Sequence, residues 1–183
     1  MQSKKQSGIS KPLKLHNYRF FIDRNLGSQQ LPGRLRGAGI SLIVHDDVYT
    51  PTERDPWIFY ECGKKGLVVL TSDKSFMKSF PHMVAITLGR TTVLAFSNNN
   101  FNSKVRSEAF LSASSSIHNA LAAHRGVPFI ATIGMRGTIE INAVNPRPTR
   151  AACERADWES YLRVCRIEGI RPQLPSQLRF KGM

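Results

Sequence analysis

The sequence predicts an α/β protein built on an open, mostly parallel sheet with helices on both sides. Three observations lead there. Short apolar runs of strand length recur along the chain, and capped helical segments lie between them. The run GLVVLTSD (66–73) has four consecutive apolar residues, Leu67 to Leu70, bounded by Gly66 and a polar cluster. That is the pattern of a strand buried on both faces, as in a parallel sheet.

The elements follow in order. YRFFID (18–23) is the first strand candidate, and ISLIVHDD (40–47) is the second. Between them LPGRLRGAG reads as a helix ended by Gly37 or Gly39. In DPWIFYECGKKG (55–66), Asp55 is placed as the cap, Pro56 in the first turn and Gly66 as the stop. After the 66–73 strand, SFPHMVAITLGR (79–90) forms a helix with Pro81 near its start. TTVLAFSNNN (91–100) and VPFIATI (127–133) are further strands. The longest helix is expected over about 103–125, capped by Asn102 or Ser103, with Phe110, Ala113, Ile117, Ala120 and Leu121 on one face. GMRGTIEINAV (134–144) reads as a final hairpin or edge strand. NPRPTR is a proline-marked linker, and 149–168 is an amphipathic helix with Trp158, Leu162 and Cys165 on a stripe.

Three regions result: a basic, flexible N-terminal arm (1–17), a domain over 18–142, and a tail (143–183) of linker, amphipathic helix and basic end. The 183 residues, 41% hydrophobic, suffice for one domain with a proper core. The net charge is +13, and both ends are more basic than the body for their length. Such an excess points to a polyanion, nucleic acid before others, although a solvated surface accounts for part of it. Cys62, Cys153 and Cys165 form no C-x-x-C pair, which suits a reducing, cytoplasmic setting. No apolar run approaches a membrane span, and no signal-peptide core is visible.

Sites in open parallel sheets form at the C-terminal strand ends. Four of the five strand candidates end there in acid or amide: Asp23, then Asp46 and Asp47, then Asp73, then Asn98 to Asn100. Asp55 opens a helix on the same edge. Carboxylates within roughly 5 Å of each other repel by about 3 kcal/mol per pair at an effective dielectric near 20. They call for a cation, and hard oxygen donors suit Mg²⁺ or Mn²⁺. Each residue also has a plain structural explanation. Asp55 caps a helix, Asp73 caps the turn beginning at Lys74, and Asp23 forms an Asx-turn with Asn25. His45 reads as a strand-end side chain, and Trp57 and Trp158 as packing.

FFIDRNLGSQQLPGRLRGAGISLIVHDD followed by RDPWIFYECGKKGLVVLTSDKSF resembles the short PIN-like (PilT N-terminus) domains, over about residues 18–135. The resemblance rests on Asp-x-Asn-Leu, an Asp-Pro-Trp-Ile helix start and Leu-Thr-x-Asp, in that order. It implies an α/β/α sandwich around a parallel sheet, and a Mg²⁺- or Mn²⁺-dependent ribonuclease, in many members the toxin of a toxin–antitoxin pair. It also implies Asp23, Asp55 and Asp73 as metal-binding and catalytic acids. The family's fourth acid, beyond the next strand, is replaced here by Ser97, Asn98 and Asn99. Asn99 is then expected to position water, with Asp46, Asp47 and Asn98 as outer ligands. Arg24, Lys74 and Lys104 are the expected phosphate contacts. The implied partners are RNA and an antitoxin protein, with a homodimer through the tail helix as a further expectation.

Two other readings compete. A nucleic-acid- or protein-binding module without catalysis accommodates the missing fourth acid. A phosphoryl-transfer domain fits poorly: the Asp46–Asp47 pair follows the second strand rather than the first, and Asp23-Arg24-Asn25 is not Asp-x-Asp.

Overall fold

The computed structural model describes residues 15–142, 144 and 155–172. The N-terminal arm up to residue 14, the proline-marked linker and the basic end beyond residue 172 lie outside the described residues.

Six strands form one sheet: β1 (Arg19–Ile22), β2 (Ser41–Val44), β3 (Val68–Thr71), β4 (Thr92–Phe96), β5 (Phe129–Ile133) and β6 (Ile139–Asn142). Their spatial order is β2-β1-β3-β4-β5-β6. The first five run parallel, and β6 returns antiparallel along β5 with Ile130 opposite Asn142. The hairpin or edge strand expected over 134–144 is therefore an antiparallel edge strand.

Side-chain alternation divides the core between two faces. Phe20 and Ile22 point to one face, with Val68, Leu70, Leu94 and Phe96. There they meet α1 (Gln30–Gly37), α4 (Ser103–Ser112) and α5 (Ser114–Ala123) through Leu31, Leu35, Phe110 and Ile117. Phe21, Val69, Val93 and Ala95 point to the other face. They meet α2 (Asp55–Lys64) and α3 (Phe80–Gly89) through Ile58, Phe59, Cys62, Met83 and Ile86. Helices thus cover both faces of the sheet, as the strand–helix alternation predicts. Where α2 and α3 cross, a Cβ on Gly63 would stand 2.3 Å from the Gly89 carbonyl oxygen, so the missing side chain permits backbone contact.

Several boundaries differ from the sequence expectation. The helix expected over 103–125 is two helices with a turn at Ala113. Serines at 112 and 114–116 weaken the helix there, because their hydroxyls compete for backbone groups. The β5–β6 turn packs against the break: a Cβ on Gly137 would lie 2.6 Å from Ser112 Cβ and 2.9 Å from the Ala113 amide nitrogen. The second strand ends at Val44, and His45–Asp47 turn into a short 3₁₀ segment. Asp55 is the first helical residue of α2 rather than its cap; Arg54 holds the cap position, with extended backbone. Leu15, in the segment expected as an arm, is fully buried in the first core cluster.

The tail helix is α6 (Arg155–Glu168), and it packs on α2 and α3. Trp158 stacks on Phe80 with ring centroids 6.0 Å apart, and Tyr161 meets Phe80 edge-on. Ser160 Oγ accepts the Trp57 amide at 2.9 Å, and the Arg163 guanidinium lies 3.7 Å over the Trp57 ring. The stripe of Trp158, Leu162 and Cys165 is thus covered by the chain's own second layer. Among the described residues, no helix is long and apolar enough to cross a membrane.

Candidate active site

β1 lies between β2 and β3, so the chain winds away from it in both directions. In open α/β sheets a crevice forms at such a switch point, outside the carboxyl ends of the strands. Asp23 leaves the end of β1, and Ser72 and Asp73 leave the end of β3. A cleft of about 350 Å³ opens there, lined by Asp23, Asp55, Asp73 and Asp157 together with Arg24, Asn25, His45 and the 51–54 loop. The three aspartates expected from the sequence therefore meet in one place.

The two strand ends are laced together by side chains. Asp23 Oδ2 accepts the Thr71 hydroxyl and the Asn25 amide, each at 2.6 Å. Asn25 Oδ1 in turn accepts the Ser72 amide and hydroxyl, both at 3.0 Å. The expected Asx-turn at Asp23 is instead this bridge, in which Asn25 is the donor. Asp23 is 8% exposed. Burial pushes its carboxyl above the ordinary range, against the pull of the Thr71 hydrogen bond.

Asp55 enters from the first turn of α2, where the helix dipole favours an anion. Its carboxyl is nevertheless pushed up to about 7, first by loss of solvation and then by Asp23, Asp157 and Asp73. His82 Nε2 stands 3.9 Å away. Burial lowers that imidazole to about 4, and its Nδ1 is hydrogen-bonded with Ser79 Oγ. At neutral pH His82 is therefore an uncharged neighbour and does not offset the acids. Asp73 combines two roles: its carboxylate accepts the Ser75 amide and hydroxyl, each at 2.8 Å, and it borders the cleft. The turn-capping explanation and the site explanation hold for the same side chain.

The other expected site residues lie elsewhere. Asp46 pairs with His45 Nδ1 at 3.1 Å, and Asp47 faces Arg36 at 3.8 Å on the surface. Neither borders the cleft, because the chain turns aside at His45. Asn98 caps its own loop by accepting the Asn100 amide, and the exposed Asn99 contributes its backbone carbonyl to Arg106. Lys104 is also outside the cleft lining. Lys74 donates to the Ser97 carbonyl at 2.6 Å, next to the cleft rather than in it. Arg24 borders the cleft, with its guanidinium held by the Pro51 carbonyl at 2.8 Å.

No protein-family model, curated protein or solved structure matches the chain.

Several cleft residues went unrecognised in the sequence, Glu53 and Arg54 of the 51–54 loop among them. Asn25 was visible in the Asp-x-Asn spacing, but its bridging partner lies on another strand. Asp157 stands outside the domain and enters the cleft only because α6 docks. Among the described residues, no group of three or more His, Cys, Asp or Glu stands ready to hold a metal ion. Five carboxylates line the cleft, those of Asp23, Glu53, Asp55, Asp73 and Asp157, and carboxylate oxygen is a donor that Mg²⁺ takes, one or two directly beside several waters.

A larger cleft, of about 880 Å³, opens at the opposite sheet end and includes Lys64, Arg90 and Arg125. Lys64 and Arg90 stand at the C-terminal ends of α2 and α3, and Arg125 follows α5 closely. Cations there complement the helix dipoles. That arrangement is explained by helix stability, and it brings no cluster of acids together.

Proposed function

We propose that this chain is a metal-dependent endoribonuclease of PIN-like architecture. One observation carries the reading: Asp23, Asp55 and Asp73, far apart in sequence, line the same cleft at the switch point of a parallel sheet. The acids whose charge is disfavoured, Asp23 and Asp55, are those a cation would stabilise most. Asp23, Asp55 and Asp73 would hold Mg²⁺ or Mn²⁺, which supplies positive charge that activates water and offsets charge building on the phosphodiester. Asn25 and Thr71 keep Asp23 fixed, and the Ser75 contacts keep Asp73 fixed. Arg24 borders the cleft, and its guanidinium would pair with a substrate phosphate there. The net charge of +13 favours an RNA substrate over a neutral one.

A second reading, a nucleic-acid-binding module without catalysis, is favoured by one observation. The loop after β4, where the resemblance places a fourth acid, offers amides and stands outside the cleft. Cleavage of a mixed panel of labelled RNAs by wild type, Asp23→Asn and Asp73→Asn, with Mn²⁺, Mg²⁺ or chelator, separates the two. Cutting that needs both the metal and the aspartates supports the nuclease. Binding by a folded protein that cuts nothing under any condition supports the module.

A further inference from the structure

We propose that His45 is a positioning residue of the cleft: held by Asp46 in one tautomer, it orients the Arg24 guanidinium for a phosphate of the nucleic-acid substrate. The proposal rests on the nuclease reading above. It deepens that reading by assigning a role to His45 and, through it, to Asp46, which stands outside the cleft lining.

The geometry begins at two neighbouring strand ends. β1 and β2 pair with Ile22 opposite Val44, so Arg24 and His45 both follow directly on that edge. Arg24 is exposed, and an exposed arginine ordinarily samples many rotamers. Here its Nη2 is anchored twice. It donates to the Pro51 carbonyl at 2.8 Å, and a longer contact of 3.4 Å joins it to His45 Nε2. Both contacts engage one nitrogen, which leaves the other two guanidinium nitrogens for a phosphate.

The contact also decides the chemistry of the ring. A guanidinium has only protons to give, so His45 Nε2 must accept. The single proton of the neutral imidazole is then on Nδ1. Nδ1 stands 3.1 Å from Asp46 Oδ1, and a carboxylate accepts. The three side chains therefore form a chain with one consistent direction, from Arg24 to His45 to Asp46. A ring with its proton on Nε2 would set donor against donor at Arg24 and acceptor against acceptor at Asp46.

Filling space does not account for the residue. His45 is 2% exposed, and its ring lies beside those of Phe21 and Tyr49, with centroids 6.1 and 5.8 Å away. An apolar ring would fill that wall without polar atoms to satisfy. The imidazole is instead partnered at both nitrogens, and one partner is a cation that borders the cleft. The turn beneath it is closed as well, since the His45 carbonyl accepts the Val48 and Tyr49 amides at 3.0 and 2.9 Å. An arginine fixed before the substrate arrives has less freedom to lose on binding, and that is the effect assigned to His45.

Two measurements on the full chain test this. The first is the ring-nitrogen chemical shifts of His45, recorded well above the ordinary imidazole range. They are expected to show a protonated Nδ1 and a bare Nε2. Arg24→Ala is expected to move the Nε2 signal and leave Nδ1 protonated. A proton on Nε2, or an Nε2 signal that ignores Arg24→Ala, overturns the proposal whatever the protein does with RNA. The second is kcat/KM with Mn²⁺ for a panel RNA that the wild type cuts. Arg24→Ala and His45→Asn are each expected to lower it about tenfold. The double variant should fall no further than Arg24→Ala alone, because His45 acts through that side chain. His45→Gln carries an amide oxygen out to the place of Nε2 and is expected to keep most of the rate; the shorter Asn reaches only the place of Nδ1. A histidine that merely supports the fold predicts equal losses for Gln and Asn, and a further loss in the Arg24→Ala background. Either result overturns the proposal. Where His45→Asn fails to fold, the ring shifts of the wild type and Arg24→Ala decide the matter. A His45→Asn variant that cuts as well as the wild type overturns the role and leaves the nuclease reading intact. No cleavage of any panel RNA by the wild type overturns both.

Discussion

The Thr71 hydroxyl donates to the Asp23 carboxylate across adjacent parallel strands at 2.6 Å, and Asp23 is almost fully buried there. Thr71→Val keeps the shape and removes the donor, leaving a buried acceptor with one partner fewer. The variant is expected to lose about 1–3 kcal/mol of stability, measured by urea unfolding. Its Asp23 carboxyl should titrate still higher than in the wild type, because the hydrogen bond that favours the charged form is gone.

Asp55 sets a pH dependence of a definite sign. Its folded-state pKa, about 7, lies above the ordinary carboxyl value of 3.8. Between those values the native state holds a proton the unfolded chain has lost, so this group's contribution to stability falls as pH rises from about 4 to about 7. His82 acts oppositely: with its pKa lowered to about 4, it favours the native state increasingly as pH rises from there towards 6.5. Comparing melting temperatures of wild type and Asp55→Asn in chelator isolates the carboxylate. The variant's advantage should be small at pH 4 and grow up to pH 7. A constant difference across that range would remove Asp55 as the source.

Asp157 raises the Asp55 pKa from across the cleft. Asp157→Asn is therefore expected to move the Asp55 titration downward, followed through the carboxyl carbon chemical shift. An unmoved midpoint would mean that α6 does not bring its acid to the cleft in solution.

Aromatic contacts help to hold α6 on the domain, with Trp158 4% exposed and stacked on Phe80, and Tyr161 edge-on to the same ring. Trp158→Ala should destabilise by about 3–5 kcal/mol if helix and domain unfold together, as seen in chemical denaturation. A second, earlier transition belonging to the tail alone would instead show α6 to be a separately melting unit.

Gly137 has φ of 74° and faces the Ser112–Ala113 break between α4 and α5. Gly137→Ala combines left-handed backbone strain with a clash against atoms of the helix break. It is expected to cost about 1–3 kcal/mol in thermal unfolding. Gly126→Ala, at φ 76° but in open space, carries the strain without the clash and should cost less.

The strands were legible because a buried parallel sheet demands unbroken apolar runs, and Val68–Thr71 has nothing else to be. Asp23 and Asp73 were legible for the same reason, as each marks where such a run stops. What escaped depends on partners distant in sequence. The break at Ala113 follows from Gly137 packing against it, and helical periodicity continues across the break. Asp46 and Asp47 looked equivalent to the other strand-end acids until the turn at His45 carried them to the surface. Asp157 had no local signature, since its relevance comes from Trp57, Ser160 and Arg163 setting the position of α6.

That docking has a consequence in time. Chains emerge from the ribosome N-terminus first, and domains begin to fold as they appear. The sheet, with Asp23, Asp55 and Asp73, is synthesised well before residue 157. Asp157 can therefore complete the set of four aspartates only once the last described helix has been made and seated.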